Sequence, residues 1–472
     1  MDLKSRLVNS LSNGSDASET SRISPTDRAA TAVMSGMQPA AKAGFRALSE
    51  PEREWQYRLH QELMTMVDLS VLTHMEEKEA RIQVRELAGR LLNKHVAPLS
   101  ASSREAVIRC IEDEIFGLGP IEPLIGDPSV SDILVNDCKN IYVERHGKLE
   151  LTSQRFRDDA HLMNIIERIL SAVGRRVDES SPMADARLKD GSRVNVIIPP
   201  LAIDGPCISI RRFPSDHLKV EDLIRFGTLS PAIADLLKCV VQGRMNILIS
   251  GGTGSGKTTL LNVLSGYIPQ DERIVTIEDA AELQLQQPHV VRLETRPANL
   301  EGKGEVRQRD LVRNALRMRP ERIILGEIRG EEAFDMLQAM NTGHDGSLAT
   351  IHANSPRDAL ARLENMVAMT GLELPTKMVR TQIASAVNIV IQVSRLEDGT
   401  RRVLSLQEIQ GIEGDVFTMS EIFKFERHGL DKQNRVVGRL RATGVVPGFH
   451  ERLQQRGIAP SITIYSGDKD TP

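Results

Sequence analysis

The segment Gly251-Gly252-Thr253-Gly254-Ser255-Gly256-Lys257-Thr258 fits the spacing G-x-x-x-x-G-K-[ST] of a phosphate-binding loop. Its flanks suit one. An apolar strand run, Asn246 to Ser250, precedes it, and a helical pattern, Thr258 to Gly266, follows. Phosphate oxygens need backbone N–H groups turned inward, and glycines permit both that curvature and a close approach. The N-terminus of the following helix adds the positive end of its dipole. Gly252, Thr253, Gly254, Ser255, Gly256, Lys257, Thr258 and Thr259 are therefore the candidate nucleotide contacts. Lys257 is expected to reach the β- and γ-phosphates of ATP, and Thr258 to ligate Mg²⁺.

Outward from the loop, short apolar runs alternate with helical patterns. Strands are expected at Ile274 to Ile277, Ile323 to Leu325 and Ser347 to Ile351, and helices at Glu331 to Met340 and Asp358 to Met369. Alternation of this kind predicts a mostly parallel sheet covered by helices. Val387 to Val393 and Arg402 to Ile409, around Asp398-Gly399, read as an antiparallel edge hairpin.

Two of these strands end in acids. Ile323-Ile324-Leu325-Gly326-Glu327 places a carboxylate where it can polarise water or hold a metal's hydration shell, with glycine where many phosphate-loop ATPases have aspartate. Thr276-Ile277-Glu278-Asp279 is the second. Carboxyl ends of strands in such sheets line one crevice. Glu327 and Glu278 are thus candidate catalytic carboxylates and, with Thr258, candidate Mg²⁺ ligands, while Asp279 reads equally well as a helix cap. Gly343-His344-Asp345-Gly346-Ser347-Leu348-Ala349-Thr350-Ile351-His352 sets two histidines across a strand, without the spacing of a helical zinc pair. His344 and His352 are candidate γ-phosphate sensors, because an imidazole can switch hydrogen bonds as a phosphate leaves.

The N-terminal half reads differently. Residues 1–50 are rich in small and polar side chains and are expected to form a disordered tail. Residues 51–116 carry three amphipathic helical patterns, the third opened by a capping box at Ser102 and Glu105. Residues 117–214 mix short strands, a His146-Gly147 turn and one helix; 215–227 reads as a linker, 228–410 as the ATPase domain and 411–472 as a C-terminal extension. Arg187, Arg193, Arg211 and Arg212 precede the linker, and a guanidinium fork suits charge spread over a phosphoryl group.

Composition narrows the function classes. Lys and Arg number 60 against 64 Asp and Glu, for a formal net charge of -4, whereas a dedicated nucleic-acid binder has a basic excess. Aromatic residues are 3%, with Trp55 the single tryptophan, so base-stacking platforms have little material. The four cysteines form no CxxC pair, which points away from zinc modules and toward a reducing compartment. No apolar run approaches the ~18 residues of a membrane span, and the first residues lack a secretory layout. A cytoplasmic protein without nucleic-acid partners is expected.

The four blocks in this order resemble the ATPase superfamily of type II and type IV secretion and type IV pili, whose motifs are a Walker A loop, an Asp box, a Walker B strand and a His box. Here they fall at 251–258, 273–282, 323–327 and 343–352. Within it, Gly117-Leu118-Gly119-Pro120-Ile121-Glu122-Pro123-Leu124, Gly174 to Met183 and Ile197 to Phe213 resemble the CpaF/TadA pilus-assembly branch. The resemblance implies a RecA-like P-loop ATPase domain preceded by a mixed α/β, PAS-like domain and a small helical bundle. It also implies a homo-hexamer at the cytoplasmic face of the inner membrane. Arginines of the N-terminal domain would complete the ATP site there, with Arg187 and Arg193 catalytic and Arg211 and Arg212 contacting nucleotide. Hydrolysis would drive assembly or retraction of a Tad/Flp-type pilus through inner-membrane platform proteins. Conjugation or effector export by type IV secretion, and a nucleotide-gated scaffold with little turnover, are the alternatives.

Overall fold

The structure, a computed structural model, describes residues 48–66, 75–145, 147–188, 190–212, 218–298 and 303–466. Most of the expected tail, His146 of the expected turn, and residues 215–217 of the expected linker lie outside the described residues. The chain divides into two compact units, Met1–Arg212 and Phe213–Pro472.

In the first unit, helices Glu50–Met66, Glu77–Lys94 and Ala101–Phe116 bury Leu59, Leu63, Val84, Leu91, Val107 and Ile111 among one another. The third helix is capped by Ser100, whose hydroxyl accepts from the Ser103 N–H at 3.1 Å. The cap therefore lies two residues before the expected Ser102, which sits inside the first turn. A six-stranded antiparallel sheet follows, in the order β3-β2-β1-β6-β5-β4. Its strands are β1 Val130–Val135, β2 Ile141–Arg145, β3 Lys148–Leu151, β4 Met183–Arg187, β5 Arg193–Ile197 and β6 Cys207–Arg211. Ile133, Val143, Val194, Val196, Ile208 and Ile210 pack on one face against helix Asp159–Ser171. Register pairs Arg187 with Arg193 and Arg193 with Arg211, so these three form one cross-strand row.

The second unit is a nine-stranded sheet in the order β15-β14-β13-β12-β7-β11-β10-β8-β9. β7 Ile247–Gly251, β8 Ile274–Glu278, β9 Val290–Glu294, β10 Arg322–Ile328, β11 Leu348–Ile351 and β12 Ile389–Arg395 pair in parallel. β13 Arg401–Glu413, β14 Val416–Leu430 and β15 Val436–Ala442 continue the sheet antiparallel. β7 and β8 are buried at every position, as central parallel strands between two helical layers must be. Helices Pro231–Gln242 and Lys257–Ser265 cover one face, and helices Gln308–Ala315, Glu332–Asn341, Pro356–Ala368 and Thr376–Ala386 the other.

Two expected borders fall inside this unit. Residue 410 lies within β13, and the segment beyond it is not a separate extension. Phe449, Leu453 and Tyr465 are buried in the same core as Leu236 and Val240. At the other border, helix Val220–Arg225 occupies much of the expected linker and buries Leu223 in that core.

Candidate functional site

Parallel pairing brings the C-terminal ends of β7, β8, β10 and β11 to one edge of the sheet. Each end delivers one of the expected side chains. After β7 the loop runs to Gly256, the residue preceding helix Lys257–Ser265, with φ of +94°; Gly254 has φ of +68°. Left-handed conformations at both positions suit glycine. Gly251 is needed for a different reason, since a Cβ there would strike the Val393 carbonyl. Ser255 is buried and its hydroxyl donates to the Gly252 carbonyl at 2.8 Å. Thr258 and Thr259 stand half-buried in the first helical turn.

Lys257 is 7% exposed. Its ammonium donates to the Gly251 and Gly252 carbonyls at 3.0 and 2.9 Å and lies 3.3 Å from His352 Nε2. That nitrogen is also 2.9 Å from Glu327 Oε1. A neutral imidazole nitrogen either donates or accepts, so Nε2 can serve Glu327 as donor or Lys257 as acceptor, but not both together. Burial and then the Lys257 charge hold the His352 pKa below its ordinary value, against the pull of Glu327.

Glu327 is aimed by an irregularity in its own strand. Pairing of β10 with β11 steps from Leu325–Ala349 to Ile328–Ile351, a bulge that spans Gly326 and Glu327. The Thr350 hydroxyl donates to the Gly326 carbonyl at 2.7 Å and fixes it. The other Glu327 oxygen accepts from Arg329 Nη2 at 2.7 Å, and Arg329 Nη1 donates to Asp279 at 2.9 Å. Arg329 thus ties the ends of β8 and β10. The sequence signal for it was its place two residues after Glu327, at a strand end.

Glu278 is 3% exposed. One oxygen accepts from the Glu282 and Leu283 N–H groups at 2.6 and 2.8 Å; the other is buried without a hydrogen-bond partner among the described residues. Burial outweighs those two donors and pushes its pKa up to about 7. Its side chain explains the glycine at 326: a Cβ there would meet Glu278 Cγ at 2.9 Å.

Lys257, His352, Glu327, Arg329 and Asp279 therefore form one continuous set of contacts, with Glu278 beside it. His344 does not join them. It precedes β11 while His352 follows it, so the two histidines stand at opposite edges of the sheet. Of the two expected sensor histidines, the structure places only His352 against Lys257 and Glu327. Among the four arginines, Arg187, Arg193 and Arg211 share a row. Arg212 is turned to the backbone, donating to the carbonyls of Asp127 and of Val130, the latter at 2.9 Å. Through Nη1, Arg212 braces the backbone at and just before β1.

Among the described residues, no group of three or more His, Cys, Asp or Glu side chains converges as a metal cage. Mg²⁺ does not require one, because it is held through one or two carboxylates, phosphates and waters. The unpartnered Glu278 oxygen, with Thr258 and Glu327, is a hard oxygen donor set that fits this ion. Among the described residues no helix is long and apolar enough to cross a membrane.

Residues 114–451 match the family "Type II/IV secretion system protein". A Mycobacterium tuberculosis protein named for conjugal transfer is 39% identical over 317 residues, covering 66% of this chain and 90% of its own length. The type IV secretion system protein VirB11 of Brucella suis is 31% identical over 329 residues, covering 64% of this chain and 91% of its own. A solved structure of the Brucella suis VirB11 ATPase in complex with sulphate aligns at 29% identity and a TM-score of 0.33, over 61% of this chain and 94% of that one. With a phosphate loop whose lysine meets the strand-end glutamate through one histidine, and with a family match that covers residues 114–451, the chain belongs to the type II/IV secretion system protein family.

Proposed function

We propose that this chain hydrolyses ATP, as a homo-hexamer at the cytoplasmic face of the inner membrane, to drive a type IV secretion machine of the conjugation or effector-export kind. The observation that supports hydrolysis most directly is the contact series from Lys257 through His352 to Glu327. Bound Mg²⁺–ATP supplies the phosphoanhydride bond and the cation that neutralises its charge. The chain's own part is positional and electrostatic. Loop N–H groups and Lys257 bind the phosphates, and Thr258 and Glu278 supply oxygens to the metal. Glu327 accepts the proton of the attacking water, with Arg329 holding its second oxygen. His352 releases one neighbour as it bonds the other.

The choice of machine rests on the relatives. The proteins named for conjugal transfer and for VirB11 support the secretion reading over the pilus reading that the sequence blocks first suggested. Assembly or retraction of a Tad/Flp-type pilus stays as a second reading, supported by the blocks at 117–124, 174–183 and 197–213. Steady-state phosphate release by the purified chain, with Mg²⁺ and with EDTA, tests the hydrolysis. Release that is absent under both conditions sinks it in favour of a gated scaffold. Deleting the gene separates the two machines: loss of conjugal or effector transfer with surface fibres intact is expected, and loss of fibres alone reverses the order.

A further inference from the structure

The turn between β12 and β13 lies against the phosphate loop from the same chain. Arg401 Nε donates to the Gly254 carbonyl at 3.1 Å. A Cβ built on Gly256 would meet Arg401 Cδ at 3.4 Å, and one on Gly254 would meet Arg395 Nη1 at 3.8 Å. The loop's two left-handed glycines are thus turned toward this hairpin. In a loop whose N–H groups converge on phosphate, carbonyls are left facing outward; that of Gly254 is the one the hairpin takes.

The same hairpin holds the segment by which the chain enters the nucleotide unit. The Thr228 hydroxyl donates to the Arg401 carbonyl at 2.8 Å, and the Val403 N–H donates to the Thr228 carbonyl at 3.2 Å. Arg402 Nη1 donates to the Phe226 carbonyl at 2.7 Å. Gly227 between them has φ of +70°, and a Cβ there would strike the Arg402 guanidinium. Asp398, at the hairpin tip, accepts from Thr400 N–H at 2.9 Å and from Val436 N–H at 2.8 Å, which fastens the tip to β15. Two consecutive arginines therefore grip different things: Arg401 the phosphate loop, Arg402 the entry segment. A hairpin tied at its tip to β15 joins them.

We propose that Arg401 and Arg402 are positioning residues that transmit the occupancy of the phosphate loop to Phe226–Thr228. Nucleotide bound at Gly252–Thr258 then alters the segment that leads in from the N-terminal unit. The proposal rests on the reading of that loop as a nucleotide site. Arg401 acts through the Gly254 carbonyl and Arg402 through the Phe226 carbonyl; neither acts on the reacting phosphate.

Hydrogen exchange of the full chain with and without saturating ADP tests this, alongside ADP affinity from a fluorescent analogue. In the wild type, ADP is expected to slow exchange across 223–228 and at Val403. Arg402→Ala should bind ADP as the wild type does and lose that change. Arg401→Ala should weaken ADP binding by about fivefold, the worth of one hydrogen bond, and lose the change even at saturation. Arg401→Lys, which can still donate to one carbonyl, should restore it. Bound ADP with no change at 223–228 in the wild type overturns the coupling, as does a full change retained in both alanine variants. Failure of the wild type to bind ADP is a different result: it overturns the nucleotide reading itself and the coupling with it.

Discussion

The parallel strands of the second unit carry a charged cluster at each end, and the two clusters differ in how fully their groups are satisfied. At the N-terminal end, Arg322 is 0% exposed. It binds both oxygens of Glu272 and donates to the Val241 and Gly346 carbonyls at 2.7 and 3.4 Å. Arg244 adds a contact to Glu272 at 3.2 Å. Burial works against the Glu272 carboxylate, yet Arg322 and Arg244 outweigh it and hold its pKa below the ordinary value. Asn246 in the same cluster accepts from the Gly346 and Ser347 N–H groups and donates to the Ala386 carbonyl. At the loop end, Glu278 keeps a buried oxygen with no partner among the described residues, and one histidine nitrogen faces two claimants. A buried ionic cluster whose bonds close on themselves fixes a fold, whereas one with open valences is disposed to bind and react.

The largest effect that would sharpen this contrast comes from Glu327→Gln. Turnover should fall by about 10²–10⁴-fold, the range for loss of a general base, with ADP affinity and thermal midpoint nearly unchanged. Arg322→Ala should do the reverse, costing about 3–5 kcal/mol of stability by stranding Glu272. Urea denaturation measures it, and Arg322→Met with Glu272→Met should recover most of the loss.

Glu278→Gln comes next, through pH. Its carboxyl titrates near 4.5 when unfolded and about 7 when folded. A raised folded pKa adds stability that is full below the unfolded value and is lost as pH rises through the folded one. Wild-type stability should therefore fall between about pH 4.5 and 7, by up to ~3 kcal/mol from this group. Glu278→Gln should flatten that slope and be the more stable chain at pH 8 relative to pH 4. Asp113 in the first unit, pushed to about 7 by burial and then by Glu122, keeps its own share of the slope in both chains.

The smallest effect is expected at His344. His344→Ala should leave turnover within about twofold and stability within ~0.5 kcal/mol, while His352→Ala lowers turnover at least about tenfold. Equal losses in the two would break the distinction between the two ends of the sheet.

The central strands were legible because burial on both faces makes them unbroken apolar runs. β3, exposed at all four positions, and β4, β9, β14 and β15, whose positions are mostly exposed or half-buried, have no such run and were not read as strands. Lys257, His352 and Glu327 touch in the structure; the sequence singled out Lys257 by the loop motif and Glu278, Glu327 and His352 by their places at or just after strand ends. His344 and His352 look symmetric in sequence because both flank a strand, although a strand's two ends lie at different edges. An arginine at a strand end gives no sign in sequence of whether it faces backbone carbonyls, as Arg212 Nη1 does. Arg401 was illegible, since its contact with Gly254 bridges 147 residues of chain.

The glycine at 326 implies an exclusion rule between neighbouring strands. The room beside Glu327 admits one further acidic side chain, and here β8 fills it. Placing an aspartate at 326 would demand a shorter residue at 278, so the two positions are free to exchange the carboxylate only together. The acid pair is thereby split between two neighbouring strands instead of standing side by side on one.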